Sequence, residues 1–292
     1  MRPYYQLVSY RILRRCFKTI EVRLPARTIA VSSRDPSCLS GLFWEFSWKT
    51  QVIGAALAHR PGAFLDVGAN VGQSLFDYLA TGANSTYIGF EPNIRCATYL
   101  SALIRRNALA GVTLVPVALG DAASLLELHS LPDSETDSAA FVHAFIRPGW
   151  QTRREYIPCL RFDDIAGPLG IEQIALCKID VEGFELEVLR GMKKTMAVLK
   201  PPILCEVLDA DANADIAVHH DRIARLQAAL TDLDYVIFHL HKTAGGRCAG
   251  LEPMAEIPKR RWTKEAEDQC DYLFAHRMDA LPGKLSRQFG SG

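Results

Sequence analysis

Residues 64–73 have the sequence FLDVGANVGQ, and this stretch decides the fold. A short apolar run ends at Asp66, small residues follow at Gly68, Ala69 and Gly72, and a helical pattern then begins. The pattern predicts a buried strand, a tight turn and the start of a helix. Glycine tolerates positive φ and lets a ligand approach the backbone, and the N–H groups of a helix start favour an anionic ligand. The stretch therefore predicts a site for a nucleotide-like ligand.

The composition is that of an ordinary globular chain, with 292 residues, of which 49% are hydrophobic and 23% charged. Lys plus Arg and Asp plus Glu both number 33. This balance argues against a broad basic surface, so we expect no nucleic-acid partner. We find no signal peptide and no apolar span of about 20 residues, and we expect a cytoplasmic protein.

The eight cysteines form no C-x-x-C pair, which argues against a structural zinc site, and we predict no metal. Cys177 and Cys205 lie in apolar runs, where they are expected to be small buried hydrophobes. Unpaired cysteines of this kind fit a reducing compartment.

Three regions are distinguished along the chain. Residues 1–60 are expected to form a helical or extended cap, residues 61–277 the main domain, and residues 278–292 a loosely structured tail. Residues 1–20 are either a basic amphipathic helix in weak contact with a membrane surface or a helix packed on the domain. Residues 41–59 begin with aromatics and turn helical, which predicts a helix at the edge or mouth of a sheet.

Strand and helix patterns alternate from residue 63 onward, which predicts a parallel α/β sheet with right-handed crossovers. Pro116 interrupts the third strand and indicates a bend. Residues 120–162 break the alternation and contain two segments that predict a local antiparallel pair, and an insertion of this length is typical of a substrate loop. The predicted strands are residues 63–67, 85–90, 112–119, 174–179, 203–207, 235–240 and 271–276.

The first candidate site combines the glycine turn with Glu91. Asn70 stands where a dinucleotide fold usually has its second glycine, which disfavours a pyrophosphate ligand. Glu91 follows the second predicted strand, where a carboxylate accepts hydrogen bonds from a ribose diol. Together they favour an adenosine-type ligand without phosphates, which is S-adenosylmethionine.

The second candidate site follows the fourth strand, in the segment KIDVEGFE at 178–185. Asp180 is expected at the crevice where open α/β sheets bind ligands, and Lys178, two residues earlier, projects to the same side. Asp180 and Glu182 are candidates for contact with a ligand or an acceptor. The alternative is an N-capping cluster, since acidic residues favour helix starts.

Glu206 is a charge within the apolar fifth strand, and burying it is costly unless it is paired. Lys178, on the neighbouring strand, is the candidate partner. Glu206 is either structural or faces the acceptor and helps to remove its proton. His143, His239 and His241 are each expected to be surface or packing residues.

These segments together resemble the FkbM family of S-adenosylmethionine-dependent methyltransferases. The resemblance rests on FLDVGANVGQ, IGFEPN, VALGD, LCKIDVEGFELEVLRG and PPILCEV, in that order over residues 63–208, and KIDVEG is the most distinctive. It implies a class I methyltransferase fold, Rossmann-like, with a seven-stranded, mostly parallel sheet whose last strand is antiparallel, flanked by helices. It also implies O-methylation of hydroxyl groups on sugars or secondary metabolites.

The resemblance assigns roles to residues by position. The methionine end of the cofactor would be lined by Asp66, Gly68, Ala69, Asn70 and Gly72. Glu91 would take the ribose, and the adenine would lie near Ala118, Leu119 and Gly120. Asp180 and Glu182 would lie beside the transferred methyl group and the acceptor. Lys178 and Glu206 complete our catalytic candidates.

The sequence therefore predicts an S-adenosylmethionine-dependent O-methyltransferase whose partner is a small-molecule or glycan acceptor. Alignment of the acceptor oxygen is the main task, and Asp180 is the first candidate to take its proton, followed by Glu182 or Glu206. Two alternatives remain open. One is a non-catalytic cofactor-binding scaffold in a glycan-assembly complex, and the other is a nicotinamide-dependent oxidoreductase.

Overall fold

The computed structural model describes residues 18–33, 44–131, 140–143, 146–266 and 268–289. Most of the segment predicted to touch a membrane surface therefore lies outside the described residues, as does Phe145 of the predicted substrate loop. Within the described ranges, no helix combines the length and the apolar character needed to cross a bilayer.

The described chain forms thirteen strands and eight α-helices, numbered here in chain order. They are β1 Thr19–Arg23, β2 Thr28–Ser32, α1 Trp48–His59, β3 Ala63–Val67, α2 Gln73–Thr81, β4 Tyr87–Phe90, α3 Ile94–Arg106, β5 Val112–Val115, β6 Ala118–Leu119, β7 Ser124–Ser130, β8 Arg153–Leu160, α4 Phe162–Ile165, β9 Ile174–Ile179, α5 Glu185–Gly191, α6 Lys193–Leu199, β10 Ile203–Glu206, α7 Ile216–Thr231, β11 Tyr235–Lys242, β12 Cys248–Met254, β13 Asp271–His276 and α8 Leu281–Phe289.

The central sheet has the strand order β12-β11-β13-β10-β9-β3-β4-β5. All neighbours from β10 to β5 are parallel, and β13 runs antiparallel between β10 and β11. This confirms the predicted class I methyltransferase fold, with its antiparallel seventh strand. The strand order reverses between β3 and β9, so the crevice at their carboxyl ends is where such a sheet binds ligands.

Two apolar clusters cover the two faces of the sheet, and alternate residues of each strand contribute to them. Leu65, Val67 and Cys177 belong to one cluster, whereas Phe64 and Leu176 belong to the other. Strands buried on both faces are nearly continuous in hydrophobicity, which is why β9 and β3 could be located from the sequence.

The insertion forms a separate three-stranded sheet in the order β6-β8-β7, in which β7 and β8 are antiparallel as predicted. The predicted third strand is divided at Pro116 into β5 and β6, because proline cannot donate to the ladder. The bend takes the chain out of the central sheet and into the smaller one.

Three expectations were wrong. The central sheet has eight strands rather than seven, because β12 pairs with β11 at the edge. The tail is not loose, since α8 buries Leu281 and Leu285 completely in the cluster that also holds α1. Gly191, which the sequence predicts as the C-cap of a short helix over residues 184–191, is instead the last residue of α5, and Met192 is the cap residue.

Candidate functional site

A cavity of about 270 Å³ opens at the carboxyl ends of β3, β4, β9 and β10. Nine of the predicted site residues line it, namely Gly68, Asn70, Glu91, Ala118, Leu119, Lys178, Asp180, Glu182 and Glu206. The structure thus brings together residues that are more than 130 positions apart in the sequence. The remaining four, Asp66, Ala69, Gly72 and Gly120, are not part of the cavity wall.

The glycine turn is held to the neighbouring strand by its backbone. The N–H groups of Gly68 and Ala69 both donate to the carbonyl of Phe90, each at 3.0 Å. Gly68 has φ +81°, and a Cβ added there would lie 1.9 Å from the carbonyl oxygen of Asp180. Its missing side chain therefore makes room for the chain after β9.

Gly72 has φ +91° and precedes α2, where an added Cβ would lie 2.7 Å from Leu100 Cδ2. The residue serves the packing of α2 against α3. Any contribution of Gly72 to cofactor binding is therefore through the shape of the turn.

Glu91 is fixed in the cavity wall by two backbone donors. Asn70 N–H donates to Glu91 Oε2 at 2.7 Å, and Asn93 N–H donates to Oε1 at 2.8 Å. Burial raises the pKa of Glu91 to about 7, although the two N–H donors oppose this. Each carboxyl oxygen accepts one backbone hydrogen bond and has capacity for a second.

Asp66 lies beneath the turn and is fully buried. It accepts a hydrogen bond from the Tyr87 hydroxyl at 2.5 Å and lies 3.1 Å from Lys178 Nζ. Lys178 Nζ also donates to the Gly68 carbonyl at 2.8 Å and lies 3.4 Å from Asp180 Oδ2. Lys178 thus joins the carboxyl ends of β3 and β9 below the cavity.

The neighbouring carboxylates stabilise the positive charge of Lys178. Burial by itself would lower the pKa of Lys178, but Asp180 and Asp66 outweigh it and raise the pKa. The prediction that Lys178 pairs with Glu206 was wrong, because its carboxylate partners are Asp66 and Asp180.

Asp180 and Glu206 form a hydrogen-bonded carboxyl pair at the ends of β9 and β10. Burial and the nearby Asp180 raise the pKa of Glu206 to about 9. Burial opposes ionisation of Asp180 as well, but Lys178 and Lys49 outweigh it and lower the pKa of Asp180 to about 2. The pair therefore shares one proton at neutral pH, and the two lysines favour Asp180 as its ionised member.

Glu182 forms the rim of the cavity and has φ +55°. Its Oε2 lies 2.5 Å from Nη2 of Arg147. The Arg147 guanidinium in turn lies over the rings of Phe141 and Trp150, at 5.4 and 5.0 Å from their centroids. The described part of the insertion is thereby tied to the segment that follows β9.

The other end of the cavity is apolar. Ala118 and Leu119 line it, and their position near an adenine stays a prediction. Gly120 lies behind them, donating to the carbonyl of Leu160 at 3.0 Å. A Cβ on Gly191 would lie 1.9 Å from the Gly120 carbonyl oxygen. The missing side chain of Gly191 therefore allows α5 to approach the end of β6 closely.

Several cavity residues were not identified from the sequence. Gln73 and Ser74 follow the glycine turn directly, so their position at the helix start was a usable signal. Lys49 lies far in sequence from every motif, so no sequence signal indicated its position in the cavity. The others contribute mainly the apolar wall and are Val67, Phe90, Pro92, Asn93, Val117, Leu128, Ala140, Val142, Val181 and Phe184.

The histidines lie elsewhere. His143 Nε2 is 3.3 Å from Glu187, and its ring packs against Phe184. His239 contacts the carbonyl of Gln269. Across the described residues, no group of three or more His, Cys, Asp or Glu side chains is arranged to hold a metal ion.

Comparison with known proteins gives the site its context. The family model described as "Methyltransferase FkbM domain" matches residues 66–261. The methyltransferase sdnD of Sordaria araneosa is 28% identical over 158 residues, which are 44% of this chain and 59% of that protein.

Solved structures show weaker similarity. The methyltransferase FkbM of Methylobacillus flagellatus KT is 18% identical with a TM-score of 0.45, over 74% of this chain and 44% of that one. TYW2 of M. jannaschii, solved with AdoMet, is 11% identical with a TM-score of 0.36, over 89% and 87%. The match to sdnD and the match to the Methylobacillus protein each cover less than two thirds of the relative. The family match extends from the glycine turn through every carboxylate of the cavity, and the chain belongs to the FkbM methyltransferase family.

Proposed function

We propose that this protein is an S-adenosylmethionine-dependent O-methyltransferase acting on a hydroxyl group of a sugar, a polysaccharide or a secondary metabolite. One observation carries the proposal. A single cavity at the switch point of the sheet contains Glu91 on one side and the ionised Asp180 on the other. Membership of the FkbM family supports methyl transfer as the reaction, and the resemblance to that family supports the class of acceptor.

The residues present fit the proposed cofactor. Glu91 is held by two backbone donors and retains acceptor capacity for the two hydroxyls of a ribose. The wall formed by Ala118 and Leu119 suits an adenine ring. Gly68 and Asn70 expose their turn to the cavity where the methionine part would lie.

When bound, the sulfonium group would supply an activated methyl group. The protein must then hold the acceptor oxygen in line and deal with its proton. Asp180 is our candidate for holding the acceptor, because the nearby lysines keep it ionised at neutral pH and it can accept a hydrogen bond from the acceptor hydroxyl. Glu206 retains its own proton there, so its role is to donate a hydrogen bond to Asp180 and keep that carboxylate oriented.

The ribose role of Glu91 is tested by titration calorimetry with S-adenosylmethionine. The Glu91→Ala variant should bind about ten- to a hundredfold more weakly, since a buried charge-assisted hydrogen bond contributes about 1.5–3 kcal/mol. Glu265→Ala, at an exposed position, is the matched control and should bind as the wild type does. An unchanged dissociation constant in Glu91→Ala would refute the assignment.

The reaction is tested by transfer of a labelled methyl group to a panel of monosaccharides, oligosaccharides and phenolic metabolites. Asp180→Asn should lose most of the transfer rate while retaining cofactor binding. Binding without transfer to any acceptor would favour the scaffold alternative. Binding of NAD(H) without binding of S-adenosylmethionine would favour the oxidoreductase alternative.

A further inference from the structure

Lys49 lies in the first turn of α1 and lines the cavity together with Asp180 and Glu206. The family match begins at residue 66, so Lys49 lies outside the region that the match describes. Nothing in the sequence motifs assigns it a role. The role of Lys49 therefore has to be inferred from the contacts that hold α1 beside the cavity.

The first turn of α1 is anchored to the edge of the central sheet. Trp48 N–H donates to the carbonyl of Gly246 at 2.8 Å, and Cys248 N–H donates to Gln51 Oε1 at 2.8 Å. Gly246 and Cys248 belong to the turn and strand that form the eighth, unpredicted edge of the sheet. The extra strand and the helix thus hold each other in place on either side of Lys49.

A buried carboxyl provides a second anchor. Asp77 of α2 accepts hydrogen bonds from the Thr50 hydroxyl at 2.5 Å and from Trp44 Nε1 at 3.0 Å. These bonds fix the residues before and after Lys49 to the domain. The backbone of Lys49 is therefore held in place beside the cavity. This limits the positions that its ammonium group can take.

Helix α1 and the charged side chains at the ends of β9 and β10 lie on the same face of the central sheet. Leu176 and Leu204 pack in the cluster that contains Trp48 of α1. Lys178 and Glu206 lie two residues further along the same strands, so they project to that same face. Helix α1 therefore covers the side of the sheet on which the charged side chains of β9 and β10 lie.

Asp180 is the largest favourable charge acting on Lys49. Burial opposes the charge of Lys49, but Asp180 and then Asp271 outweigh it and raise its pKa. Asp271 already pairs with Lys242 at 2.5 Å. Asp180 is the stronger attraction and lines the same cavity.

We propose that Lys49 is a positioning residue of the transfer site: its ammonium group, delivered by α1, acts with Lys178 to hold the Asp180 carboxylate toward the acceptor. This proposal rests on the proposed function and adds the N-terminal helix to its active site. The element predicted as a cap is then part of the catalytic machinery.

The proposal is tested by following the carboxyl carbon of Glu206 by NMR between pH 6 and pH 10.5. Glu206 and Asp180 share one proton, and a nearby cation favours its loss. Removing the charge of Lys49 should therefore raise the midpoint of Glu206, from about 9 in the wild type, by about one pH unit. The charged or titratable groups around the pair are Asp66, Lys178, Glu182, Glu185, Asp271 and Lys49 itself.

Three variants make the titration decisive. Lys49→Met removes the charge, Lys49→Arg retains it and should keep the wild-type midpoint, and Lys284→Met removes an exposed lysine of α8 and should change nothing. Lys49→Gln replaces Lys49→Met if circular dichroism shows that the latter does not fold. An unchanged Glu206 midpoint in the folded, uncharged variant would overturn the proposal.

Methyl transfer provides the second readout, with the labelled cofactor and the acceptor panel described above. Lys49→Met should lower kcat by roughly ten- to a hundredfold and leave the dissociation constant of S-adenosylmethionine within about threefold, because Lys49 acts through Asp180. A changed midpoint with an unchanged kcat would also overturn the proposal. A wild-type protein that does not bind S-adenosylmethionine overturns the proposed function instead, and the titration still decides whether Lys49 interacts with the carboxyl pair of Asp180 and Glu206.

Discussion

Gly68 shows how one backbone position can join two halves of a binding site. Its φ of +81° lies in the left-handed region, and its α-carbon faces the carbonyl of Asp180. Its own carbonyl accepts a hydrogen bond from Lys178, which also contacts Asp180. The glycine turn and the backbone of Asp180 are therefore held close together by one residue.

Substituting Gly68 with alanine should destabilise the fold by about 3–5 kcal/mol, because the added Cβ has no room and the φ value strains any L-residue. Urea denaturation measures the change. Gly167→Ala is the control, since an added Cβ there meets no atom within 4 Å. A loss of less than about 1 kcal/mol in Gly68→Ala would mean that the approach of Asp180 is not a constraint.

Glu185 is a buried carboxyl that serves structure. Its Oε1 accepts a hydrogen bond from Gly183 N–H at 2.9 Å, which holds the turn that leads into α5. The N-capping alternative is wrong for this residue, because the N-cap of α5 is Phe184 and no side chain caps it. Burial raises the pKa of Glu185 from 4.5 to about 7, so the folded protein keeps a proton that the unfolded chain has lost.

This difference predicts a pH dependence of stability. Between pH 4.5 and pH 7 the folded state binds more protons than the unfolded state at Glu185, so its contribution to the free energy of unfolding falls as the pH rises. Glu185→Gln keeps an acceptor for Gly183 and removes the titration. Between pH 5 and pH 8 the variant should lose less stability than the wild type, by about 2–3 kcal/mol.

Urea denaturation at both pH values measures this effect. Glu265→Gln, at an exposed position, should follow the wild type. A Glu185→Gln variant that loses as much stability as the wild type would show that Glu185 is already ionised at neutral pH.

At the scale of elements, α8 contributes to the core. Leu285 is fully buried among residues of α1 and the central sheet. Leu285→Ala should reduce the free energy of unfolding by about 2–4 kcal/mol, the usual cost of a large cavity. Leu125→Ala, at a leucine 73% exposed, is the control and should change stability by less than about 0.5 kcal/mol. Equal effects of the two substitutions would mean that α8 is only loosely attached.

The elements that were predicted correctly and those that were missed differ in a physical way. Strands such as β9, with the sequence IALCKI, are buried on both faces and show it as a continuous apolar run. Strand β12, with the sequence CAGLEPM, lies at an edge, where glycine, glutamate and proline are tolerated. Helix α8 contains Pro282 and Gly283, which are unfavourable in helix interiors, yet proline is compatible with the first turn of a helix.

The candidate site was predictable wherever it follows a strand. Glu91, Asp180 and Glu206 each come directly from the end of a parallel strand, and such ends converge in one crevice. Lys49 could not be predicted, because its place depends on how α1 packs across the sheet. The partner of Glu206 could not be predicted either, since the register and the direction of Lys178 decide which carboxylate each group meets.

At the scale of the whole molecule, one apolar cluster connects β2 and α8 with the elements that form the site. It contains Ile29 and Val31 of β2, Leu75 of α2, and Leu281 and Leu285 of α8. Asn107 adds a polar link, since Ala30 N–H donates to its side chain at 2.7 Å. Residues of β2 and α8, which do not line the cavity, are therefore buried in the same apolar cluster as residues of elements that do.

This shared core predicts that ligand binding stabilises the molecule as one unit. S-adenosylhomocysteine at a concentration of one hundred times its dissociation constant should raise the free energy of unfolding by about 2.7 kcal/mol. The slowest amides of β2 and α8 exchange through global unfolding, so their hydrogen exchange should slow by about a hundredfold, as it does near the cavity. Glu91→Ala at the same ligand concentration should show much less slowing in every element. Slowing confined to the walls of the cavity would mean that β2 and α8 unfold independently of the site and are not part of the same cooperative unit.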